Sequence, residues 1–143
     1  LSERGKRVPI GEDIDTEGEK LLGEIMKEKG HVWYFITRYP ASAKPFYIME
    51  DGEMSWSFDL SYRGLEVASG GQREHRAREL VARMESMNLN PIDFEHYIEP
   101  FKFGMPPHGG WGLGIDRLVA YLLDLGNIRE AILFPRDRYR LTP

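Results

Sequence analysis

Residues 55–74, SWSFDLSYRGLEVASGGQRE, decide the fold, because apolar and polar side chains alternate along both arms of a tight turn. Alternation with a period of two is typical of a β-strand with one apolar and one polar face. We interpret Arg63-Gly64 as a two-residue turn, which would place Asp59 opposite Ala68 in an antiparallel hairpin. The apolar side chains predicted to face the core are Trp56, Phe58, Leu60, Tyr62, Leu65 and Val67.

The polar face of this hairpin brings two acidic residues together. The turn places Ser61 opposite Glu66, so that Asp59 and Glu66 are diagonal neighbours, roughly 7–8 Å apart at the backbone. Two carboxylates this close repel each other unless a cation or a proton lies between them. Oxygen ligands with room for water and phosphate suit Mg²⁺, so the pair is a candidate metal site. The alternative is a solvated strand face on which the two acids are unrelated.

Two glycines and an arginine follow the second arm of the hairpin. Adjacent glycines weaken a strand ladder, so Gly70-Gly71 is predicted to end the strand. The planar guanidinium of Arg73 suits bidentate binding of a ligand carboxylate beside the acidic face. The alternative is that Arg73 forms an ordinary ion pair at the surface.

A second glycine-rich stretch, GGWGLGIDR (109–117), spaces its glycines as alternate residues of a strand and leads into an amphipathic helix. Arg117 falls in the first turn of that helix, where an arginine and free backbone N–H groups suit a phosphate. A dinucleotide-binding fingerprint would need a third glycine at the position of Ile115. The alternative interpretation is a tight turn whose glycines only allow close packing of the strand.

The rest of the chain alternates helical and strand patterns without a βαβ rhythm, which favours an α+β fold with an antiparallel sheet flanked by helices. Thr16 and Glu19 have the spacing of a capping box, and Gly30 ends the helix that follows. Asn90-Pro91 is predicted to begin a later helix. Strands are predicted at 31–39, 46–49, 54–62, 109–113 and 131–134, with further helices after Gly71 and Gly114. The residues predicted to face inward from the two middle helices are Leu80, Val81, Met84 and Met87, and Phe94, Tyr97, Ile98 and Phe101.

Composition narrows the possible function classes. The 143 residues are 41% hydrophobic and 12% aromatic, which indicates one folded domain. A formal net charge of −4 argues against a chain built mainly as a nucleic-acid-binding arm. We recognise no membrane span and no signal peptide. The sequence has no cysteine, which excludes disulfides and thiolate zinc sites and fits a cytoplasmic protein. Because the sequence begins at Leu1 rather than methionine, we expect it to be a piece of a longer protein.

Several motifs together resemble one enzyme family. GWGLGIDRL (110–118) resembles motif 3 of the class II aminoacyl-tRNA synthetases, whose arginine contacts the phosphates of ATP. KPFYIM (44–49), SFDLSYRGLEVASGGQREH (57–75) and NIREAILFPRDRYRLTP (127–143) resemble the aspartyl enzymes of archaeal and eukaryotic type, in subclass IIb. The resemblance runs from about Ile10 to the C-terminus, with Asp116 where many members have glutamate.

The resemblance implies roles for particular residues. Glu66 corresponds to a carboxylate that binds Mg²⁺ on ATP, Ser69 to a second metal ligand that also contacts the amino acid, and Asp59 to a further metal partner. Arg73 corresponds to the arginine that binds the side-chain carboxylate of aspartate, and Tyr47 is expected to line the amino-acid pocket. The residues expected to contact ATP at the end of motif 3 are Gly114, Ile115, Asp116 and Arg117. The histidines expected to support local loops only are His75 and His108.

The implied activity is that of an aspartate–tRNA ligase, which activates L-aspartate with ATP and Mg²⁺ to aspartyl-adenylate and then transfers it to tRNA. Residues 1–143 are expected to be the C-terminal portion of the catalytic domain, with motif 3 but without motifs 1 and 2 and without the anticodon-binding domain. We therefore expect tRNA to bind mainly through other regions and the isolated 143 residues to be inactive alone. The full-length protein is expected to be a cytoplasmic homodimer without a membrane partner.

Two alternatives remain open from the sequence. An asparaginyl enzyme shares most of these motifs, although KPFY (44–47) and LEVASGGQR (65–73) favour aspartate. A non-catalytic relative or fragment would bind a nucleotide, an amino acid or a partner without charging tRNA. The sequence decides neither the tRNA specificity nor whether the chain is a natural short form or a truncated one.

Overall fold

The computed structural model describes residues 1–9 and 11–142, so that Ile10 and Pro143, the two ends of the family resemblance, lie outside the described residues. The strands are β1 (Trp33–Thr37), β2 (Glu50–Asp51), β3 (Met54–Ser55), β4 (Ser57–Tyr62), β5 (Leu65–Gln72) and β6 (Gly109–Leu113). The helices are α1 (Thr16–Glu28), α2 (Ala77–Ser86), α3 (Glu95–Lys102) and α4 (Ile115–Leu122), with short 3₁₀ helices at Ser2–Arg4, Ala41–Ala43, Pro91–Phe94 and Ile128–Ala131.

A four-stranded antiparallel sheet forms the centre of the described chain, in the order β1-β4-β5-β6, and β2 and β3 form a separate two-stranded ribbon. Helices flank this sheet, so the predicted α+β class is confirmed. No helix among the described residues is long and apolar enough to cross a membrane.

The hairpin between β4 and β5 turns at Arg63-Gly64, as predicted, and Tyr62 pairs with Leu65. Both turn residues have positive φ, 49° at Arg63 and 84° at Gly64, which is the conformation of a type I′ turn that matches the twist of the strands. Helix α1 lies directly against this turn, because a Cβ added to Gly23 would be 2.4 Å from the Cα of Gly64.

The pairing of β4 with β5 departs from the predicted register beyond Ser61 and Glu66. A β-bulge shifts the ladder by one residue, so that Asp59 lies opposite Ser69 and not opposite Ala68. The bulge arises where Val67 and Ala68, both apolar and both buried, interrupt the alternation of the strand. As a consequence Ser69 joins Asp59 and Glu66 on the polar face.

The prediction that Gly70-Gly71 ends the strand is wrong, because β5 continues to Gln72. Gly70 pairs with Phe58 on one side and with Trp111 on the other, and Gly71 is paired on both sides too. A Cβ on Gly70 would lie 2.4 Å from the carbonyl oxygen of Gly110, and one on Gly71 would lie 2.4 Å from that of Trp56. The two glycines therefore allow close approach of the neighbouring strands.

The burial of the two sheet faces differs from the prediction. Tyr62 and Val67 are buried as expected, but Trp56 is 45% exposed. Asp59, on the polar face, is only 6% exposed, and the serines on either side of it in β4 are buried as well. At Asp59 the reason is that segment 39–48 lies over the polar face, with the Lys44 ammonium 3.1 Å from the carboxylate. Alternation alone does not show which face is covered.

A cluster of buried apolar residues lies between α2 and α3, where Leu80 and Met84 pack against Ile98 and Phe101. These four residues were predicted to face inward, and their burial confirms both helices. Tyr97 is 40% exposed and Met87 is 37% exposed, and both were predicted to face inward. Met87 is exposed because it lies beyond the last residue of α2. The third predicted helix begins at Asn90-Pro91 as a 3₁₀ helix, with the side chain of Asn90 accepting a hydrogen bond from Ile92 N.

Three local predictions are wrong. Helix α1 is capped by Asp15, whose carboxylate accepts from Gly18 N, so the N-cap lies one residue before the predicted capping box at Thr16. Segment 46–49 is a turn that follows Pro45, with Ile48 N donating to the Pro45 carbonyl, and only Ile48 forms a bridge. The predicted strand at 131–134 is not found, because Ala131 is the last residue of the 3₁₀ helix Ile128–Ala131 and residues 132–134 pair with no described strand.

Candidate functional site

A cleft of about 480 Å³ opens on the polar face of the sheet, where segment 39–48 meets β4, β5 and β6. We call it the polar cleft, and its lining residues include Lys44, Tyr47, Asp59, Ser69 and Arg73. Four of these five were predicted as site residues. The bulge in β5 is what turns Ser69 toward the same side as Asp59.

Arg73 is held in the polar cleft with its guanidinium available. Its backbone N donates to the carbonyl of His108 at 2.9 Å, and its guanidinium carbon lies 4.7 Å from the centre of the Tyr47 ring. Gly110 provides the space for this side chain, because a Cβ there would be 2.7 Å from Arg73 Nε. No described acidic side chain forms an ion pair with Arg73. The geometry suits binding of an external carboxylate.

Glu66 and Arg117 meet at the junction of β5 and α4. Arg117 Nη1 donates to the backbone carbonyl of Glu66 at 3.2 Å and lies 3.6 Å from the carboxylate oxygen Oε1. Gly114 is the N-cap of α4, and its own N–H donates to the Val67 carbonyl at 2.9 Å. Ile115, Asp116 and Arg117 form the first turn, as predicted, so a helix N-terminus, an arginine and a carboxylate converge here.

Lys44 was not predicted to have a role. Its ammonium lies 3.1 Å from Asp59 Oδ2, 3.9 Å from Asp13 Oδ2 and 3.6 Å from the centre of the Tyr39 ring. Asp59 Oδ1 is buried and has no hydrogen-bond partner among the described residues. Burial, and then the neighbouring Asp59 carboxylate, raises the pKa of the Tyr39 hydroxyl. The only sequence signal was the KPFY motif itself, since no spacing rule links residue 44 to residue 59.

The acidic residues near the cleft do not form a complete metal site by themselves. Within residues 1–9 and 11–142, no group of three or more histidine, cysteine, aspartate or glutamate side chains could hold a metal ion. The structure pairs Asp59 with Lys44 and places Arg117 3.6 Å from the Glu66 carboxylate, and Ser69 lies on the same face of the sheet as both acids. Burial, and then repulsion from Glu66, Asp13 and Asp59, raises the pKa of the Glu19 carboxyl in α1.

The two histidines considered in the sequence lie at the edge of this region. The ring of His108 hydrogen-bonds through Nδ1 to the Pro106 carbonyl at 2.9 Å, in the loop before β6. His75 Nδ1 is buried without a described partner, next to Glu74, whose carboxylate forms two hydrogen bonds to the Arg76 side chain. Neither ring lines the polar cleft.

Comparison with known proteins gives one family. Residues 4–138 match the class II tRNA synthetases (D, K and N). An aspartate–tRNA(Asp) ligase of Pyrococcus horikoshii is 60% identical over 147 aligned residues, which cover all of this chain and 34% of that protein. The chain thus spans about a third of the length of the curated relatives it matches.

Solved structures agree with this match. The aspartyl-tRNA synthetase of Entamoeba histolytica superposes with a TM-score of 0.94 at 38% identity, over 99% of this chain and 30% of that one. The asparaginyl-tRNA synthetase of Pyrococcus horikoshii superposes with a TM-score of 0.89 at 35% identity, over 99% of this chain and 34% of that one.

Proposed function

Because this chain belongs to the class II tRNA synthetases, we propose that it supplies the amino-acid pocket and one side of the ATP site of an aspartate–tRNA ligase. The observation that carries the proposal is the polar cleft, in which Arg73 presents a guanidinium that no described carboxylate neutralises. The 60% identity to an aspartate–tRNA(Asp) ligase supports aspartate as the amino acid.

The amino acid binds in the polar cleft. Arg73 forms a bidentate pair with the side-chain carboxylate of aspartate, and the Tyr47 ring supports the guanidinium from one side. Ser69, exposed on β5, is placed to contact the rest of the amino acid. Arg73 stacks on the Tyr47 ring and occupies the space that Gly110 leaves, so its guanidinium is in position before the ligand binds.

ATP binds next to the cleft, at the junction of β5 and α4. Arg117 and the backbone of Gly114 to Asp116 contact the phosphates, which a helix N-terminus favours. Glu66 and Ser69 offer oxygen ligands on one face, and a magnesium ion would complete its shell with phosphate oxygens and water. Asp59 remains a weaker candidate ligand, since Lys44 already neutralises it. Bound magnesium would neutralise phosphate charge.

The proposed first step joins aspartate to the α-phosphorus of ATP. An oxygen of the α-carboxylate bonds to phosphorus as the bond to the bridging oxygen breaks, and pyrophosphate leaves. The attacking carboxylate is already ionised, so no general base is required. The residues of this chain contribute by orienting the two substrates and by stabilising phosphate charge. The aspartyl group is then transferred to tRNA. We assign tRNA binding and homodimer formation mainly to other regions of a longer cytoplasmic polypeptide. Residues 1–143 would be the C-terminal portion of its catalytic domain.

An asparagine-specific enzyme is the second candidate, because an asparaginyl-tRNA synthetase superposes on the chain with a TM-score of 0.89. The test is ATP–pyrophosphate exchange by the complete natural polypeptide that carries these residues, with aspartate or asparagine as the amino acid. We expect exchange that depends on aspartate. Exchange with asparagine alone would establish the second candidate, and none with either would indicate a non-catalytic relative.

A further inference from the structure

Lys44 is fixed in the polar cleft from three directions. Its ammonium contacts the Tyr39 ring and the Asp59 carboxylate, and only 14% of its side chain is exposed. Its backbone is held from α2, where Arg83 Nη2 donates to the carbonyl oxygens of Ala41 and, at 3.4 Å, of Lys44. A lysine on a loop usually samples many rotamers, whereas this one is held by contacts at both its backbone and its ammonium.

The charges of the cleft explain what this lysine does there. The charged side chains that line the cleft are two cations, Lys44 and Arg73, and one carboxylate, Asp59. Asp59 is opposite Ser69 on the floor of the cleft and is 6% exposed. Without a partner its charge would repel an acidic ligand beside Arg73, and the repulsion would be strong in a partly desolvated site. The Lys44 ammonium, 3.1 Å from Asp59 Oδ2 and farther from Asp13 Oδ2 at 3.9 Å, balances that charge and leaves Arg73 as the cation of the cleft without a described acidic partner.

We propose that Lys44 is a specificity-determining residue, which lets the cleft select an acidic amino-acid side chain over its amide by neutralising Asp59. This inference rests on the proposed function, because it takes aspartate as the ligand of Arg73. Lys44 acts on the ligand through Asp59 and through the net charge of the cleft. It differs in this from Arg73, which pairs with the ligand directly.

The test measures binding of L-aspartate and of L-asparagine by calorimetry to the complete natural polypeptide, without ATP or magnesium. Lys44→Met keeps the length and the apolar stem of the side chain. It should weaken aspartate binding by about tenfold or more, while asparagine binding changes by less than about threefold. Lys44→Arg keeps the charge next to Asp59 and should bind aspartate within about threefold of the natural protein.

A double variant, Lys44→Met with Asp59→Asn, separates charge neutralisation from other roles. It removes both charges and should restore aspartate affinity to within about threefold, since Arg73 is again the uncompensated cation. If the double variant binds aspartate as weakly as Lys44→Met, or if Lys44→Met weakens both amino acids equally, the inference is wrong. Thermal unfolding of each variant shows whether the fold is retained. If Lys44→Met does not fold, the aspartate affinity of the double variant tests the inference. A natural protein that binds no aspartate would overturn the proposed function and this inference together.

Discussion

Replacing Gly110 with alanine should damage aspartate recognition by displacing Arg73, although the substitution changes no residue that is itself proposed to contact the ligand. A Cβ at this position would lie 2.7 Å from Arg73 Nε and 2.9 Å from Nη2, whereas ordinary contacts begin at 3.4 Å. Arg73 must therefore move by at least about 0.7 Å, the difference between 3.4 Å and 2.7 Å. A misplacement near 1 Å costs up to about 10²-fold in a positioned site. We expect the KM for aspartate to rise about 10- to 100-fold and the KM for ATP to stay within about threefold.

The assay is ATP–pyrophosphate exchange by the complete polypeptide, with Gly109→Ala as the matched control on the same strand. A Cβ at Gly109 has one neighbour, the Gly71 carbonyl oxygen at 3.5 Å, which is an ordinary contact. Gly109→Ala should therefore behave like the natural protein. If Gly110→Ala binds aspartate normally, or if both alanine variants are equally impaired, the steric argument is refuted and Arg73 does not depend on the space at residue 110.

Three further predictions follow from the site and the sheet. Arg73→Lys should lower activation efficiency with aspartate by roughly 10²–10³-fold, because a point charge cannot replace two parallel bonds in a partly desolvated pair. A loss confined to the KM for ATP would instead make Arg73 a phosphate ligand. Glu66→Gln should abolish magnesium-dependent ATP–pyrophosphate exchange with an unchanged circular dichroism spectrum, and normal exchange would exclude Glu66 from the metal site. Residues 1–143 expressed alone should self-associate, because large apolar side chains such as Phe35 and Trp111 are 62% and 63% exposed. A monomer by light scattering at high concentration would contradict this.

The sequence alone predicted the structure correctly at positions where the conformation depends on neighbouring residues in the chain. Arg63-Gly64 could be identified as the hairpin turn because a glycine in a two-residue loop accepts positive φ, and the helix carrying Leu80 and Met84 followed from its apolar spacing. Arg117 could be placed in a first helical turn for the same kind of reason. The match of the motifs to one family agrees with the comparison over residues 4–138.

The errors arose where distant parts of the chain determine the structure. Alternation in β4 distinguished two faces, but segment 39–48 decides which one is buried. Gly70 was taken to end a strand, whereas the close backbone of β6 requires a residue without a side chain there. Lys44 contacts Asp59 from a loop whose backbone carbonyls accept hydrogen bonds from Arg83, 39 residues beyond Lys44, and no local pattern predicts such an arrangement.

The bulge between β4 and β5 has a consequence for insertions and deletions in this hairpin. Glu66 and Ser69 are three residues apart, and in an unbroken strand an odd separation would put them on opposite faces. Deleting Val67 would remove the bulge, restore strict alternation and leave these two residues two positions apart, while Ala68 could still pair with Leu60 and Ser69 with Asp59. An added residue between 66 and 69, with the bulge unchanged, would instead shift Ser69 by one position along β4 and turn its side chain to the opposite face. In a redesigned or randomised hairpin the segment from 66 to 69 should therefore not be lengthened, whereas loss of the bulge residue would leave the ladder from Ser69 onward intact.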